Sequence, residues 1–315
     1  MTRVLDDQSG RRRRYERRTS EKLLALTARK RRLLQLVGQY RLLSLPQAAA
    51  LADLSAKASR NHLRKLFDAG LVEVIATSRA ALADLDTPND PRLLYGSAPG
   101  IYRLAPAGLQ VLKSLDLAGG VHLTSERYGP KNSLHLAHEL AIRDLLVWFA
   151  RSARTHADHV LETWRVGGEA EIDLQRATPP KLCRPDAWLV YRMGERVLVG
   201  LLEADRGTER GDRRWQEKIA AYQALFASDR LRETTGYQKA RVITIVPDAR
   251  RRDHLAEFVT QHASPWLARR FWFAGRSLLN TPDLFVAGWR QPGSQLLRPL
   301  LRREVATGAA GEEEA

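Results

Sequence analysis

The run from Arg196 to Asp205, RVLVGLLEAD, constrains the fold more than any other part of this chain. From Val197 to Leu202 it has no polar side chain. An alternating pattern would mark a strand with one face in water. A continuous apolar run marks a strand covered on both faces. Such a strand needs partners on either side and helices or loops above and below, so an α/β unit is expected here. ARVITIVPD, from Ala240 to Asp248, is a second strand of the same kind. Between them, Trp215, Ile219, Tyr222 and Phe226 recur at i, i+4, i+7 and i+11, the spacing of a helix laid on a sheet.

The rest of this half completes the pattern. A helix is predicted over Ser133 to Ser152, then strands at HVLETWRV and CRPDAWLVYR before the apolar strand. A helix at RRRDHLAEFVTQ and a last strand at RRFWFAG follow ARVITIVPD. Beyond Leu284 the pattern fades into an acidic tail. Helix, three strands, helix, strand is similar to the αβββαβ core of the PD-(D/E)xK, or restriction-endonuclease-like, superfamily.

The N-terminal half has a different grammar. Leu33, Leu34, Val37 and Tyr40 mark one helix. PQAAALADL, opening with Pro46, marks a second. SAKASRNHLRKLFDAG marks a third, with Leu63, Leu66 and Phe67 on one face and Gly70 as C-cap. LVEVIA and GIYRLA read as two strands around a polar loop, and PAGLQVLKSLDL as a closing helix. Three helices and a hairpin are the layout of a winged helix-turn-helix. The third helix is then the recognition helix, with Lys57, Ser59, Arg60, Asn61, Arg64 and Lys65 able to reach phosphates or base edges. A solvated charged face is the plain alternative.

Charge supports the DNA reading. The chain has 51 Lys and Arg against 36 Asp and Glu, for a formal charge of +15. Residues 1–35 alone carry 12 basic and four acidic side chains. Arg11, Arg12, Arg13 and Arg14 form a block suited to a polyanion. No apolar helical face adjoins it, which disfavours a membrane surface. No run approaches the ~18 apolar residues of a membrane helix. The first residues lack the apolar core of a secretory signal, so a cytoplasmic protein is expected. The expected organisation is a basic arm over 1–20, the winged helix over 21–118, a Gly-rich linker over 119–132, the nuclease-like domain over 133–284 and a partly disordered tail over 285–315.

Carboxylates at strand ends carry the chemistry. Asp186 follows Pro185 at a strand start, and Glu203 and Asp205 close the apolar strand. Their i, i+2 spacing predicts one shared face. Such acids can hold Mg²⁺ or Mn²⁺ for phosphodiester cleavage, with Asp186, Glu203 and Asp205 as ligands and catalytic groups. Lys218, on the following helix, is the candidate for the missing lysine of the Glu-x-Lys motif, since Asp205 stands at that place. A salt-bridge network of these acids with Arg184 and Arg206 is the competing reading. Glu139 is a further candidate acid or a plain surface glutamate. His138 packs at the helix–sheet edge or helps position the acids.

Other chemistries are excluded. HLAHE lacks the order and third ligand of a zinc site. There is no phosphate-binding G-x-x-x-x-G-K-[ST] loop, so no nucleotide cofactor is expected, and no G-x-S-x-G elbow. One cysteine, Cys183, rules out a disulfide scaffold. No tyrosine with a histidine cluster suggests a relaxase centre.

A longer string is more specific. Arg184-Pro185-Asp186, Glu203, Asp205-Arg206-Gly207-Thr208-Glu209 and Lys218-Ile219-x-x-Tyr222 resemble the replication-relaxation family of bacterial plasmid and mobile-element proteins. The stretches TARKRRLLQLVGQYRLLSLPQAAAL, HLRKLFDAGLV and HLAHELAIRDLLVWF resemble it too, over about residues 25–250. The resemblance implies a DNA-binding protein of plasmid replication, relaxation or transfer. DNA is the expected partner, with plasmid replication or transfer proteins and a second copy of the chain as further candidates. It leaves catalysis open. The nuclease-like domain is either a metal-dependent DNA endonuclease, or catalytically silent and used for regulation, docking or dimerisation. Thr208, Glu209 and Asp212 are explained as helix-start chemistry without a ligand.

Overall fold

The computed structural model describes residues 15–18, 24–77, 82, 98–121, 133–174, 181–207 and 213–302. Arg11, Arg12, Arg13, Arg14, Thr208, Glu209 and Asp212 lie outside the described residues, as do most of the expected linker and residues 303–315. The chain divides into two compact units. The first comprises 1–82 and 92–136, the second 83–91 and 137–315.

In the first unit, α1 (Ala28–Gln39), β1 (Leu42–Ser44), α2 (Leu45–Ala52) and α3 (Ala56–Asp68) precede β2 (Val72–Ile75), β3 (Ile101–Leu104) and α4 (Pro106–Ser114). Sequence periodicity predicts two strands. The structure has three, in the antiparallel order β1-β3-β2. β1 is three residues long and wholly buried, too short to show a period. Ser44 ends β1 and caps α2: its Oγ accepts from Gln47 N at 3.4 Å, and Gln47 Oε1 accepts from Ser44 N at 2.9 Å. α2 therefore starts at Leu45, one residue before the expected Pro46.

α3 ends as its sequence requires. Gly70 takes φ +74°, Leu71 N donates to Leu66 O and Gly70 N to Phe67 O, each at 2.9 Å. That is a Schellman close, which needs the left-handed residue glycine supplies. Leu33, Leu34, Leu63, Leu66, Val72 and Ile101 are fully buried and form the centre of the unit. The arm expected over 1–20 is not wholly free: Arg18 N donates to Asp68 at 3.2 Å, and the Arg17 guanidinium lies 5.3 Å over the Phe67 ring.

The second unit is built on a seven-stranded mixed sheet. Its strands are β4 (His159–Val166), β7 (Ala187–Met193), β8 (Arg196–Ala204), β9 (Arg241–Val246), β10 (Phe271–Gly275), β11 (Ala287–Arg290) and β12 (Leu297–Pro299). The order is β12-β11-β10-β9-β8-β7-β4, with β8, β9 and β10 parallel and the other pairs antiparallel. A small pair, β5 (Ile172–Asp173) and β6 (Leu182–Cys183), stands apart. The expected strand CRPDAWLVYR is split at Arg184-Pro185, where proline offers no ladder donor.

α5 (Ser133–Ala153) opens this half, and Phe149 packs on Tyr191 with ring centroids 5.7 Å apart. The opposite face of the sheet carries α6 (Arg213–Phe226), α7 (Arg230–Thr235), α8 (Ala249–His262) and α9 (Pro265–Ala268). Trp215, Ile219, Tyr222 and Leu225 of α6 join Trp188, Val199, Leu201, Val242 and Phe271 in one core. β8 is buried along most of its length, as its apolar run demands.

The expected tail after Leu284 is a correction. Residues 285–302 extend the sheet by β11 and β12, and Trp289 is fully buried. Both strands are only three or four residues long, with Gln291, Pro292 and Gly293 between them, so no period signals them. Among the described residues, no helix is long and apolar enough to cross a membrane.

Candidate functional site

The acids of the second unit meet where β7 begins and β8 ends. Asp186 directly precedes β7, and its backbone N donates to Leu202 O at 3.0 Å. This fixes its carboxylate beside the end of β8. Oδ2 accepts from Ala204 N at 2.9 Å, and Oδ1 lies 3.1 Å from His138 Nε2 of α5. Glu203 is 1% exposed. Its Oε1 accepts from Tyr222 Oη at 2.6 Å, and its Oε2 accepts from Lys218 Nζ. Lys218 and Tyr222 are one turn apart on α6, so one helical face closes over the glutamate.

The charges follow from this packing. Burial raises the Glu203 carboxyl and the Asp186 charge adds to it, so it reaches about 7 despite the opposing pull of Lys218 and Tyr222. Burial also opposes ionisation of Asp186, but Lys218 and His138 outweigh it and hold Asp186 well below the usual carboxylate range. His138 is shifted the other way: burial disfavours its charge, yet the Asp186 hydrogen bond raises it. Lys218 is likewise raised, because Glu203 and Asp186 together outweigh its desolvation. The cluster is one coupled unit of two acids, a lysine, a histidine and a tyrosine.

Asp205 is a correction. The i, i+2 spacing predicts that it shares the site, but β8 ends at Ala204 and Gly207 turns the chain at φ +68°. Asp205 Oδ1 accepts from Gly207 N at 2.7 Å. Oδ2 accepts from Trp215 Nε1 and from Arg251 Nη2, each at 2.8 Å. Burial opposes its charge, but these donors hold Asp205 below its ordinary value. Among the described residues no three His, Cys, Asp or Glu side chains are placed to hold a metal ion together. The three-carboxylate ligand set therefore does not form; Asp186 and Glu203 remain as a pair.

Of the expected arginine partners, Arg184 pairs instead with Glu171 at 3.3 Å and is largely exposed, while Arg206 is buried. Glu139 neither joins the acids nor stands on the surface, since it forms a 2.5 Å ion pair with buried Arg143. Cys183 is buried, and burial pushes its thiol up to about 12, which leaves it no nucleophile. Sequence reasoning missed Arg251. It is the middle one of Arg250, Arg251 and Arg252, and nothing in the string distinguishes it before α8 is set against the sheet.

On α3, Lys57, Arg60, Asn61 and Lys65 are exposed and share one face at i, i+3, i+4 and i+8. Ser59 is corrected: it is fully buried, in phase with Leu63, Leu66 and Phe67, so it faces the core and not a ligand. Arg64 is half-buried. It pairs with Asp68 at 2.9 Å, donates to Glu16 O at 2.5 Å and lies 5.3 Å over Phe67. Its guanidinium holds residues 15–18 against α3 and is not simply presented to a phosphate.

A family model described as replication-relaxation matches residues 34–240. The chain belongs to the replication-relaxation family. No curated protein and no solved structure matches it. Membership ties this replication-relaxation protein to plasmid or mobile-element replication and relaxation. The matched span includes α3, Asp186, Glu203, Lys218 and Tyr222, and it ends before β9 and Arg251.

Proposed function

We propose that this is a DNA-binding protein acting on plasmid or mobile-element DNA. Its first unit is read as a winged helix-turn-helix and its second as a restriction-endonuclease-like fold. The observation that carries DNA binding is the exposed face of α3, where Lys57, Arg60, Asn61 and Lys65 stand opposite the buried Leu63 and Leu66. A helix held this way offers donors to phosphates and base edges together.

For the second unit we favour a nuclease-like site made of Asp186, Glu203 and Lys218. The supporting observation is Lys218 on Glu203, a cation supplied by the helix where the Glu-x-Lys motif would take it from the strand. Two hard carboxylates suit Mg²⁺ or Mn²⁺, which commonly binds one or two protein acids with water and substrate phosphate. Asp186 and Glu203 would hold the ion, and its chemistry would be to polarise the phosphate and acidify a water. Lys218 offsets negative charge beside them. Without the ion, burial raises the Glu203 carboxyl to about 7, so ion binding there would displace a proton near neutral pH. His138 orients Asp186.

The second reading is a silent fold used for docking or dimerisation. It is favoured by the cationic partners the acids already have: Lys218 on Glu203, His138 on Asp186 and Arg251 on Asp205. The test is incubation of the protein with supercoiled and linear DNA in Mg²⁺, Mn²⁺ or EDTA. Metal-dependent nicking that is lost in Asp186→Ala and Glu203→Ala, with duplex affinity retained, supports the nuclease. No cleavage and no metal-induced rise in Tm establishes the silent reading.

A further inference from the structure

At the starting ends of the central strands of the same sheet lies a second, strongly basic feature. Arg196 opens β8, Arg241 opens β9, and Arg270 directly precedes β10, so an arginine stands at or just before the start of three neighbouring strands. Lys239 and Arg269 are exposed beside them. These five cations line an open groove of about 320 Å³, and no acidic side chain among the described residues lines it. Arg196 lies seven residues, about 23 Å of extended strand, from Glu203 on β8, whereas Arg241 is in register with Gly200, three residues or about 10 Å from Glu203.

Like charges crowd this groove. Burial, and after it the adjacent Arg196 charge, pushes Arg241 down to about 10. Arg241 lies 4.6 Å over the Trp272 ring and donates to Leu300 O. Arg270 lies 4.5 Å over Phe226 and 4.3 Å over Trp266. Among the described residues its Nε has no hydrogen-bond partner. Trp266 is 51% exposed, a large ring left in water at the side of a basic groove.

We propose that this groove binds single-stranded nucleic acid, its cations tracking the phosphates and Trp266 stacking a base. Cations with a sequence-tolerant stacking ring are the usual means of holding single strands. Duplex DNA would satisfy the cations but leave Trp266 unused, since paired bases are already stacked. A lipid surface shares the phosphate chemistry, but the cations line a concavity instead of a convex amphipathic face. Arg241, Arg269 and Arg270 lie beyond the residues the family model matches. The groove goes beyond the proposed function and depends neither on α3 nor on the acidic cluster.

The test uses the full chain with a fluorescent oligothymidylate about 16 nucleotides long. Lys239→Glu with Arg269→Glu should weaken its binding at least tenfold. It should also flatten the dependence of log K on log salt by about 1.4, since each phosphate neutralised on a single strand adds roughly 0.7 to the slope. Trp266→Ala should weaken it about tenfold with little change in that slope. Both should leave duplex affinity within about twofold, whereas Arg60→Ala should affect duplex and spare oligothymidylate. Both altered sites are on the surface, and Lys239→Gln with Arg269→Gln supplies a milder version if the reversal lowers Tm. Oligothymidylate binding that is absent in the wild type, or unchanged in both variants, overturns the proposal. So does loss confined to binding of phosphatidylserine vesicles, which would make the groove a lipid site.

Discussion

Lys218 Nζ donates to Glu203 Oε2, although the two residues come from different elements and the glutamate is 1% exposed. Strand and helix thereby share one buried ion pair, on which the Asp186 charge also acts. Removing one partner of such a pair strands the other charge. Lys218→Met should therefore destabilise the protein by about 3 kcal/mol at pH 8. The loss should shrink below pH 7, where Glu203, already raised to about 7, can discharge by taking a proton. Urea denaturation at pH 8 and pH 6 measures this; equal losses at both would show that Glu203 does not respond to its neighbour.

The pH dependence of stability has a definite sign. Glu203 moves up from about 4.5 to about 7 on folding, so the folded state holds the proton more tightly. Its contribution is full below about 4.5 and is lost as pH rises to about 7. His138 is also raised, so its contribution is present below its usual 6.5 and lost as pH rises through its folded value. Asp186 and Asp205 are lowered and contribute above their usual 3.8, losing this as pH falls. The Tm of Glu203→Gln should therefore improve relative to wild type between pH 5 and pH 8. A constant difference across that range would remove Glu203 as the source.

Asp205 and Arg251 form the second buried pair, with both side chains less than one-fifth exposed. Arg251→Ala should cost about 2–3 kcal/mol, because Asp205 then keeps the neutral Trp215 and Gly207 donors without a cation. Asp205→Asn combined with Arg251→Met should cost less than the sum of the two single changes. A double-mutant cycle by chemical denaturation reads the coupling. Additive losses would mean that the pair is not coupled.

On α3, Ser59 and Arg60 are adjacent but face opposite environments. Arg60→Ala and Asn61→Ala should each reduce discrimination between a cognate duplex and random DNA by about 1–3 kcal/mol for each bidentate hydrogen-bonded pair removed. Ser59→Ala should leave DNA binding unchanged and be neutral or slightly stabilising. Its buried Oγ has no hydrogen-bond partner among the described residues, and an unpaired buried hydroxyl is a cost. Fluorescence anisotropy with paired duplexes, and Tm, check both. A DNA-binding defect in Ser59→Ala would reverse this assignment of faces.

Local rules are enough to reveal much of this protein. The apolar run before Glu203 requires a strand covered on both faces, and β8 has that burial. The spacing of Trp215, Ile219 and Tyr222 places Lys218 at the border of a buried helical face, where it meets Glu203. Gly70 after Phe67 announces the end of α3 through the backbone conformation it permits. These are properties of neighbours within a turn or a strand, so the string contains them.

Tertiary structure decided which charge met which. Strand alternation puts Asp205 on the same face as Glu203, but β8 stops one residue earlier and the turn at Gly207 hands Asp205 to Trp215 and Arg251. Arg251 reaches it across 46 positions of sequence, from a row of three arginines that local pattern cannot tell apart. β11 and β12 are too short to carry a period and exist because the edge of the sheet accepts their hydrogen bonds. The basic groove forms because parallel pairing brings Arg196, Arg241 and the residue before β10 to one end of the strands. Sequence specifies which elements form, since that depends on nearby residues. Partnering among buried charges depends on where those elements end and dock, which only the assembled fold sets.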